Sequence, residues 1–294
     1  MMSSFSIARL SRRTLIYLLL FAFSLTTVFP FIWMLSTSFK SPSAVFKLPP
    51  EIMPDRIFTS EMWDNYDEVL TKHNFVRYTF NSFFVATMAG LGQLITSSLA
   101  GFAFARMEFR GKNALFALLL FTAFVPDEVT IIPEYLMGAR LFDPFMEWFG
   151  SGWLDTYYPL IIPSFMVGTF GTFLMREFFS TIPKELEEAA VIDGAGTFRI
   201  YWQIFAPLSG PVMTTLFLIA FINNWNALLR PILYISNRDL RTVTMGLTQF
   251  QSDFEAQWHL LLTGSVISVV PLIILYIFLQ RYIVEGMATT GLKG

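Results

Sequence analysis

The chain has 294 residues, of which 54% are hydrophobic and 14% are charged, whereas roughly 25% of residues in ordinary soluble domains are charged. This composition indicates a membrane protein, and the formal net charge of -2 offers no basic surface for nucleic acid, so nucleic-acid binding is not expected. The absence of cysteine excludes disulfides, thiolate catalysis and cysteine metal sites. His73 and His259 lie far apart in sequence without a cluster of partner residues, so no metal site is expected at either.

The first predicted element is a membrane span over residues 14–36. Arg9, Arg12 and Arg13 precede this apolar run. Because basic residues favour the cytoplasmic side of a span, residues 1–13 are expected to be a cytoplasmic N-terminus. A secretory signal peptide is the alternative, but its apolar region usually has only about 7–15 residues. The longer run in this chain therefore favours a span.

A polar loop and a second span come next. Residues 39–78 are polar and contain several prolines, which indicates an external loop rather than a separate domain. The second span is predicted over residues 79–104. Small residues recur along and just beyond it every four positions, a spacing that lets two helices approach closely in lipid: Ser82, Ala86 and Gly90, then Ser97, Gly101 and Ala105. Close packing alone would account for this pattern.

The turn from Arg106 to Lys112 is basic, as is typical of a cytoplasmic loop. Gly111 and Lys112 could suggest a phosphate-binding loop. That motif requires glycine where Arg106 stands and serine or threonine where Asn113 stands. No nucleotide site is therefore predicted in this turn.

The third span is predicted over residues 113–133 and contains Asp127 and Glu128. In a helix that begins at Lys112, Asp127 would lie roughly 22 Å along the axis, in the outer third of an apolar slab about 30 Å thick. Carboxylates at that depth need water or partners, so both are candidates for the outer mouth of a substrate pathway. The alternative is that the helix simply ends at Pro126.

A fourth span is predicted over residues 157–175, and a polar segment, residues 180–203, follows it. Ser180 or Thr181 can cap a helix at the start of this segment, and the acidic residues after it favour the positive end of the helix dipole. Gly194 can end the helix in a left-handed conformation.

This helix carries a small apolar face. Leu186, Ala189 and Ala190 fall on one stripe at spacings of three and four residues, and Glu188 lies beside them. Such a face suits docking into a groove of another protein, where Glu188 could pair with a basic group at the rim.

The fifth span is predicted over residues 206–229, and its outer part contains the polar run Asn223-Asn224-Trp225-Asn226. Three amides and an indole cannot comfortably face lipid, since each unpaired polar group costs several kcal/mol there. Amides can bond hydroxyl groups and an indole can pack on a sugar face, which makes these residues candidates for a substrate pathway. Hydrogen bonding between helices is the alternative.

The sixth span is predicted over residues 260–279. Together the elements predict an all-α polytopic membrane protein with about six transmembrane helices, in which residues 14–284 form the transmembrane domain. Residues 285–294 are expected to be a cytoplasmic tail, on the same side of the membrane as the N-terminus.

Several stretches resemble a known family. Glu188-Ala189-Ala190, three residues, Gly194, nine residues and then Ile204-Phe205-Ala206-Pro207 resembles the E-A-A-x3-G-x9-I-x-L-P loop of permease subunits in bacterial ABC importers. Ala206 departs from that pattern, which usually has leucine there. Phe102 to Met107 with Gly111-Lys112, and the tail from Gly286 to Gly294, resemble the carbohydrate branch, which includes maltose, glycerol-phosphate and multiple-sugar permeases.

The resemblance implies a multi-pass permease subunit of an ATP-driven importer in the bacterial inner membrane, with both termini cytoplasmic. Expected partners are a second homologous permease, two cytoplasmic ATPases and an extracytoplasmic solute-binding protein. The residues expected to couple this chain to the ATPases are Glu188, Ala189, Ala190, Gly194 and Leu186. The expected substrate is a carbohydrate; a glycerol-phosphate-like or other polar solute is the alternative.

Two other classes of membrane protein fit the sequence less well. An ion-coupled secondary transporter would need titratable groups near the membrane midplane, and no Lys, Arg, Asp or Glu is centrally placed in the predicted spans. An intramembrane enzyme would need a nucleophile and a base, or a metal cluster, and neither is evident. No catalytic residue, metal site or bound cofactor is therefore predicted for this chain.

Overall fold

The computed structural model describes residues 2–148, 152–251 and 256–291, and all regular elements within them are helical, as predicted. The longer helices are α1 (Met2–Thr37), α2 (Phe75–Arg106), α3 (Lys112–Thr122), α4 (Asp127–Met137), α5 (Thr169–Thr181), α6 (Lys184–Ile192), α7 (Gly210–Trp225) and α8 (Trp258–Gly291). Shorter helical segments connect them: Pro42–Ala44, Asp64–Asp67, Glu68–Lys72, Gly138–Phe142, Asp143–Glu147, Tyr158–Ile161, Ile162–Phe165, Thr197–Ile200, Tyr201–Phe205, Ala206–Leu208, Leu229–Tyr234, Arg238–Leu240 and Val243–Thr248.

Fewer helices are long and apolar enough to cross a membrane than the six that were predicted. Within the described ranges there are 4 such helices, or up to 5 if a bent pair is counted as one span. They are Arg13–Thr37, Phe75–Arg106, Tyr158–Thr181 and Trp258–Tyr282, with Thr197–Leu208 and Gly210–Trp225 as the bent pair. The predicted count of six is not confirmed.

The third predicted span, residues 113–133, is not one helix. Its first part, α3, has only 11 residues, which at 1.5 Å per residue covers about 16 Å of a slab about 30 Å thick. The chain then breaks, and Pro126 precedes α4 in an extended conformation. Proline disfavours a helical conformation in the residue before it, which explains the break.

The fourth and fifth predicted spans are also interrupted. The fourth, residues 157–175, is divided by an extended residue at Met166, after which α5 runs on to Thr181. In the fifth, α7 begins only at Gly210 and ends at Trp225, rather than covering residues 206–229. The preceding segment Thr197–Leu208 meets α7 at an angle of 81°.

The chain divides into two compact units, of which the first contains residues 1–75 and 247–269. In this unit the predicted polar loop is held by specific contacts. The side-chain amide of Asn65 donates hydrogen bonds of 2.9 Å to the carbonyl oxygens of Ser38 and Lys40. Lys40 is buried; its Nζ donates to the carbonyl oxygen of Glu51 at 2.6 Å and lies 4.4 Å from the centre of the Trp33 ring.

The second unit contains residues 76–246 and 270–294. One cluster of buried apolar side chains in it lies around the ends of α2 and α5: Phe102, Met175, Phe179, Ile182, Ile200, Tyr201, Phe205 and Leu216. Another gathers the segments around residues 153–160 and 234–245: Val85, Trp153, Leu160, Tyr234, Ile235 and Met245. These two clusters position the candidate sites described below.

The small residues of α2 pack against neighbouring helices. A Cβ added at Gly101 would lie 2.6 Å from the Cβ of Met175 in α5, and one added at Gly90 would lie 3.1 Å from the Phe217 ring in α7. Ser97 faces Gly171 of α5 in the same way. Close helix packing therefore accounts for the four-residue spacing of these small side chains.

Candidate functional site

The segment between α5 and α7 contains the predicted coupling residues. Helix α6 begins at Lys184 directly after Pro183, which is outside the helix. The predicted cap by Ser180 or Thr181 is wrong, because both hydroxyls donate back into α5, to the carbonyl oxygens of Arg176 at 2.8 Å and Phe178 at 2.7 Å. Neither hydroxyl therefore caps α6.

The end of α6 explains the spacing between Ala190 and Gly194. Gly194 has φ +79°, as its predicted left-handed cap requires. Its N–H donates to the carbonyl oxygen of Val191 at 3.0 Å, and the N–H of Ala195 donates to that of Ala190 at 2.9 Å. These two bonds form a Schellman motif, which satisfies the last carbonyl groups of the helix and requires a residue that tolerates positive φ.

The apolar residues of α6 do not share one outward face. Ala190 is half-buried and packs against the cluster that includes Phe179 and Phe205. Exposed apolar side chains instead run from α6 into the segment after it: Leu186, Val191, Ile192, Phe198 and Trp202. Glu188 and Ala189 are exposed. A surface formed by these residues is open to a partner.

Arg106, the last residue of α2, belongs to this site and was not predicted to do so. Its Nε and Nη2 donate to the carbonyl oxygen of Phe179 at 3.2 and 2.6 Å, and Nη2 also donates to that of Ile182. Its Nη1 lies 3.7 Å from Oε2 of Glu187 in α6. The sequence signals are a charged residue placed directly after an apolar run and its place within the Phe102 to Met107 stretch that resembles the carbohydrate branch.

A separate cavity of about 540 Å³ lies between α2, α4, the segment before α5, and the end of α7. Its polar lining side chains are Gln93, Glu128, Ser164, Asn223, Asn224 and Arg230. Three side-chain amides and a hydroxyl thus share the cavity with one carboxylate and one guanidinium. Such a lining can donate to and accept from hydroxyl groups of a polar ligand.

Only some of the residues predicted for a substrate pathway line this cavity. Asn223, Asn224 and Glu128 do, although the Asn224 amide also donates to the Ala220 carbonyl oxygen at 2.8 Å. Trp225 does not, because its ring is buried and stacks on the Phe221 ring at 5.6 Å.

Asn226 and Asp127 were also predicted for the pathway, and the structure describes the side chain of Asn226 only. Asn226 is exposed but is not part of the lining. Asp127 is the first residue of α4, and its side chain lies outside the described part of the chain. The depth predicted for Asp127 does not hold, because α3 ends at Thr122.

The guanidinium at the cavity has a partner. Nη1 of Arg230 lies 2.9 Å from Oε2 of Glu134, and the two side chains are 27% and 38% exposed. Burial, and then the Glu134 carboxylate, raises the pKa of the nearby Tyr234 hydroxyl above its usual value, so this hydroxyl is neutral at physiological pH. The Arg230 charge is therefore balanced within the protein.

Comparison with known proteins identifies the family. A family model described as a binding-protein-dependent transport system inner membrane component matches residues 2–289. The arabinooligosaccharides transport system permease protein AraQ of Halalkalibacterium halodurans is 29% identical over 93% of this chain and 94% of that protein. The sn-glycerol-3-phosphate transport system permease protein UgpE of Rhizobium meliloti is 30% identical over 93% of this chain and 95% of that protein.

A solved structure shows the same fold. It is a bacterial ABC transporter involved in the import of the acidic polysaccharide alginate, which matches with a TM-score of 0.76 and 23% identity over 94% of this chain and 97% of that chain. At this identity the likeness supports the helical fold alone. The family match, in contrast, covers nearly the whole sequence. The chain belongs to the binding-protein-dependent transport system inner membrane components.

Proposed function

We propose that the chain is a permease subunit of an ATP-driven importer and that a neutral sugar passes along the cavity lined by Gln93, Asn223 and Asn224. The observation that carries the sugar assignment is the lining itself, in which neutral amide and hydroxyl groups predominate. Such groups complement sugar hydroxyls because each amide offers both a donor and an acceptor.

The charges at the cavity argue against an anionic solute. Arg230 is the one basic residue among the lining residues that the structure describes, and it is paired with Glu134. Glu128 adds a carboxylate to the lining. A phosphate or a uronic acid would need a free cationic partner, and it would also meet the Glu128 charge. A glycerol-phosphate-like solute is therefore the second candidate, supported by the similarity to UgpE.

The mechanism that fits this arrangement is alternating access driven by partner proteins. In this proposal an extracytoplasmic solute-binding protein delivers the sugar, a second homologous permease completes the pathway, and two cytoplasmic ATPases hydrolyse ATP. The ATPases would contact the α6 surface through Glu188, Ala189, Leu186 and its neighbours. Ala190 and Gly194 would shape that surface through the Schellman motif rather than by contact.

The proposed orientation places both termini and the α5–α7 segment in the cytoplasm. Helices α2 and α5 run parallel, because Ser97 meets Gly171 and Gly101 meets Met175 in the same order along both helices. Their C-terminal ends therefore lie at one side. This supports a common side for the turn after Arg106 and for α6, as the topology requires.

The test compares two asparagines one turn apart. Asn223→Leu removes an amide that lines the cavity, whereas Asn226→Leu is the matched control, since Asn226 is exposed like Asn223 but is outside the lining. Uptake of radiolabelled neutral oligosaccharides and of sn-glycerol 3-phosphate is measured in cells that carry either variant at equal membrane levels. We expect Asn223→Leu to reduce sugar uptake about tenfold or more, in line with the loss of one or two hydrogen bonds to the sugar.

Two results would contradict the proposal. Equal sugar uptake by the Asn223→Leu and Asn226→Leu variants would remove the cavity from the pathway. Uptake of sn-glycerol 3-phosphate without uptake of any neutral sugar would overturn the substrate assignment and favour the second candidate.

A further inference from the structure

Helices α2 and α5 form a parallel pair that joins the cavity to the coupling segment. At the cavity, a Cβ added at Gly168, which precedes α5, would lie 3.3 Å from the Gln93 Nε2 of α2. Further along, Gly101 lies so close to Met175 that no side chain fits between the two helices. From Gln93 to Arg106 the pair extends about 20 Å. Tightly packed helices move together rather than deform.

Arg106 closes the far end of this pair. It is the last residue of α2, and its guanidinium donates to the carbonyl oxygens of Phe179 and Ile182 at the end of α5. Its side chain is only 4% exposed, and the guanidinium carbon lies 4.9 Å from the centre of the Phe205 ring. A cation at two helix C-termini is favourable, because the unsatisfied carbonyl groups there carry partial negative charge.

One ion pair then connects this end to α6. Arg106 Nη1 lies 3.7 Å from Glu187 Oε2, and the Glu187 side chain is 28% exposed. Both residues also line a second cavity, of about 420 Å³, together with Glu108, Lys184 and Glu188. Glu187 thus reaches from the partner-facing helix to the buried guanidinium. The five donors and planar shape of arginine allow it to hold all these acceptors at once.

We propose that Arg106 is a positioning residue that fastens α6 to the α2–α5 pair, so that movement of the coupling segment reaches the sugar cavity. This inference rests on the proposed function, because it assigns a role within the same coupling. Arg106 is not among the residues that line the sugar cavity, and its side chain is almost fully buried. It acts by keeping the ends of three helices in fixed register, and energetic coupling between distant sites needs such a contiguous element.

The experiment measures sugar transported per ATP hydrolysed in the purified complex, reconstituted with its ATPases and solute-binding protein. Arg106→Gln is compared with Arg110→Gln, which removes an exposed arginine four residues away. We expect Arg106→Gln to lower the ratio of transport to hydrolysis about tenfold or more and Arg110→Gln to leave it unchanged. Arg106→Lys should recover part of the ratio, because lysine keeps the charge but lacks the planar fork.

A merely structural role predicts a different pattern. Loss of folding alone would lower the amount of complex and leave the transport-to-hydrolysis ratio of the remaining complexes unchanged, and that result would overturn the inference. If Arg106→Gln prevents assembly altogether, Glu187→Gln decides, with the exposed Glu185→Gln on the same helix as its control. A severalfold fall in the ratio for Glu187→Gln alone supports the inference, and equal ratios for the two variants overturn it.

The failure of this inference can be distinguished from the failure of the proposed function. If the unaltered chain retains an ATPase and transports sugar, and Arg106→Gln does so with the same ratio, the positioning role alone is wrong. If the unaltered chain retains no ATPase during purification, both the proposed function and this inference are wrong.

Discussion

Replacing Gly194 by alanine should destabilise the end of α6 through backbone strain alone. A Cβ at Gly194 would meet no atom within 4 Å, and the same is true at Gly196, so neither substitution creates a clash. The two differ in conformation, since Gly194 has φ +79° and Gly196 has φ -76°. Alanine in the left-handed region costs about 1–2 kcal/mol, whereas at Gly196 it is unstrained.

The comparison of the two variants isolates that strain. Each substitution reduces the freedom of the unfolded chain by a similar amount, so this contribution cancels when Gly194→Ala is compared with Gly196→Ala. A cost of about 1–2 kcal/mol corresponds to roughly a 5- to 30-fold increase in local opening. Gly194→Val should cost more, because a β-branched residue is a greater outlier at positive φ.

Amide hydrogen exchange in lipid nanodiscs reports this opening. The amide of Ala195, which donates to Ala190, should exchange about 5- to 30-fold faster in Gly194→Ala and at nearly the original rate in Gly196→Ala. Sugar uptake should fall more in Gly194→Ala than in Gly196→Ala. If the Ala195 amide exchanges equally fast in both variants, alanine at position 194 is not strained and the reasoning is wrong.

Two further predictions concern orientation and packing. The chain has no cysteine, and residues 60, 185 and 238 are all exposed. In cells with a permeabilised outer layer, impermeant thiol reagents should label Ser60→Cys and Arg238→Cys but not Glu185→Cys. Labelling at position 185 would contradict the proposed topology. Gly101→Ala should destabilise the protein by about 1–3 kcal/mol in thermal unfolding, because its Cβ would meet Met175. Gly210→Ala is the control, since a Cβ there has open space around it. Similar unfolding of both variants would contradict the α2–α5 packing.

Local patterns in the sequence predicted the helical fold and the end of α6. The spacing from Ala190 to Gly194 is a backbone rule, since the Schellman motif fixes which residue must take positive φ. The small residues of α2 likewise carry their own packing signal. Such features depend on residues within one turn of each other, so they can be read without knowledge of the fold.

Features that the local pattern leaves open were missed or misplaced. Arg106 contacts carbonyl groups 73 and 76 positions along the chain, which no local pattern encodes. Trp225 is a residue type that often packs on a sugar, yet here it is buried and its ring stacks on that of Phe221. The length of the third span was overestimated, because the apolar composition continues past Thr122 but the helix ends there.

The segment Thr197–Leu208 and the longer helix α7 meet at a bend of 81°. With 16 residues, α7 is about 24 Å long. A rotation of Thr197–Leu208 about its own axis by about 10° would move the far end of α7 by about 4 Å if the bend stays rigid. Asn223 and Asn224 lie at that far end. A displacement of this size exceeds the length of a hydrogen bond. A small rotation of Thr197–Leu208 is therefore enough to change which groups Asn223 and Asn224 can bond in the cavity.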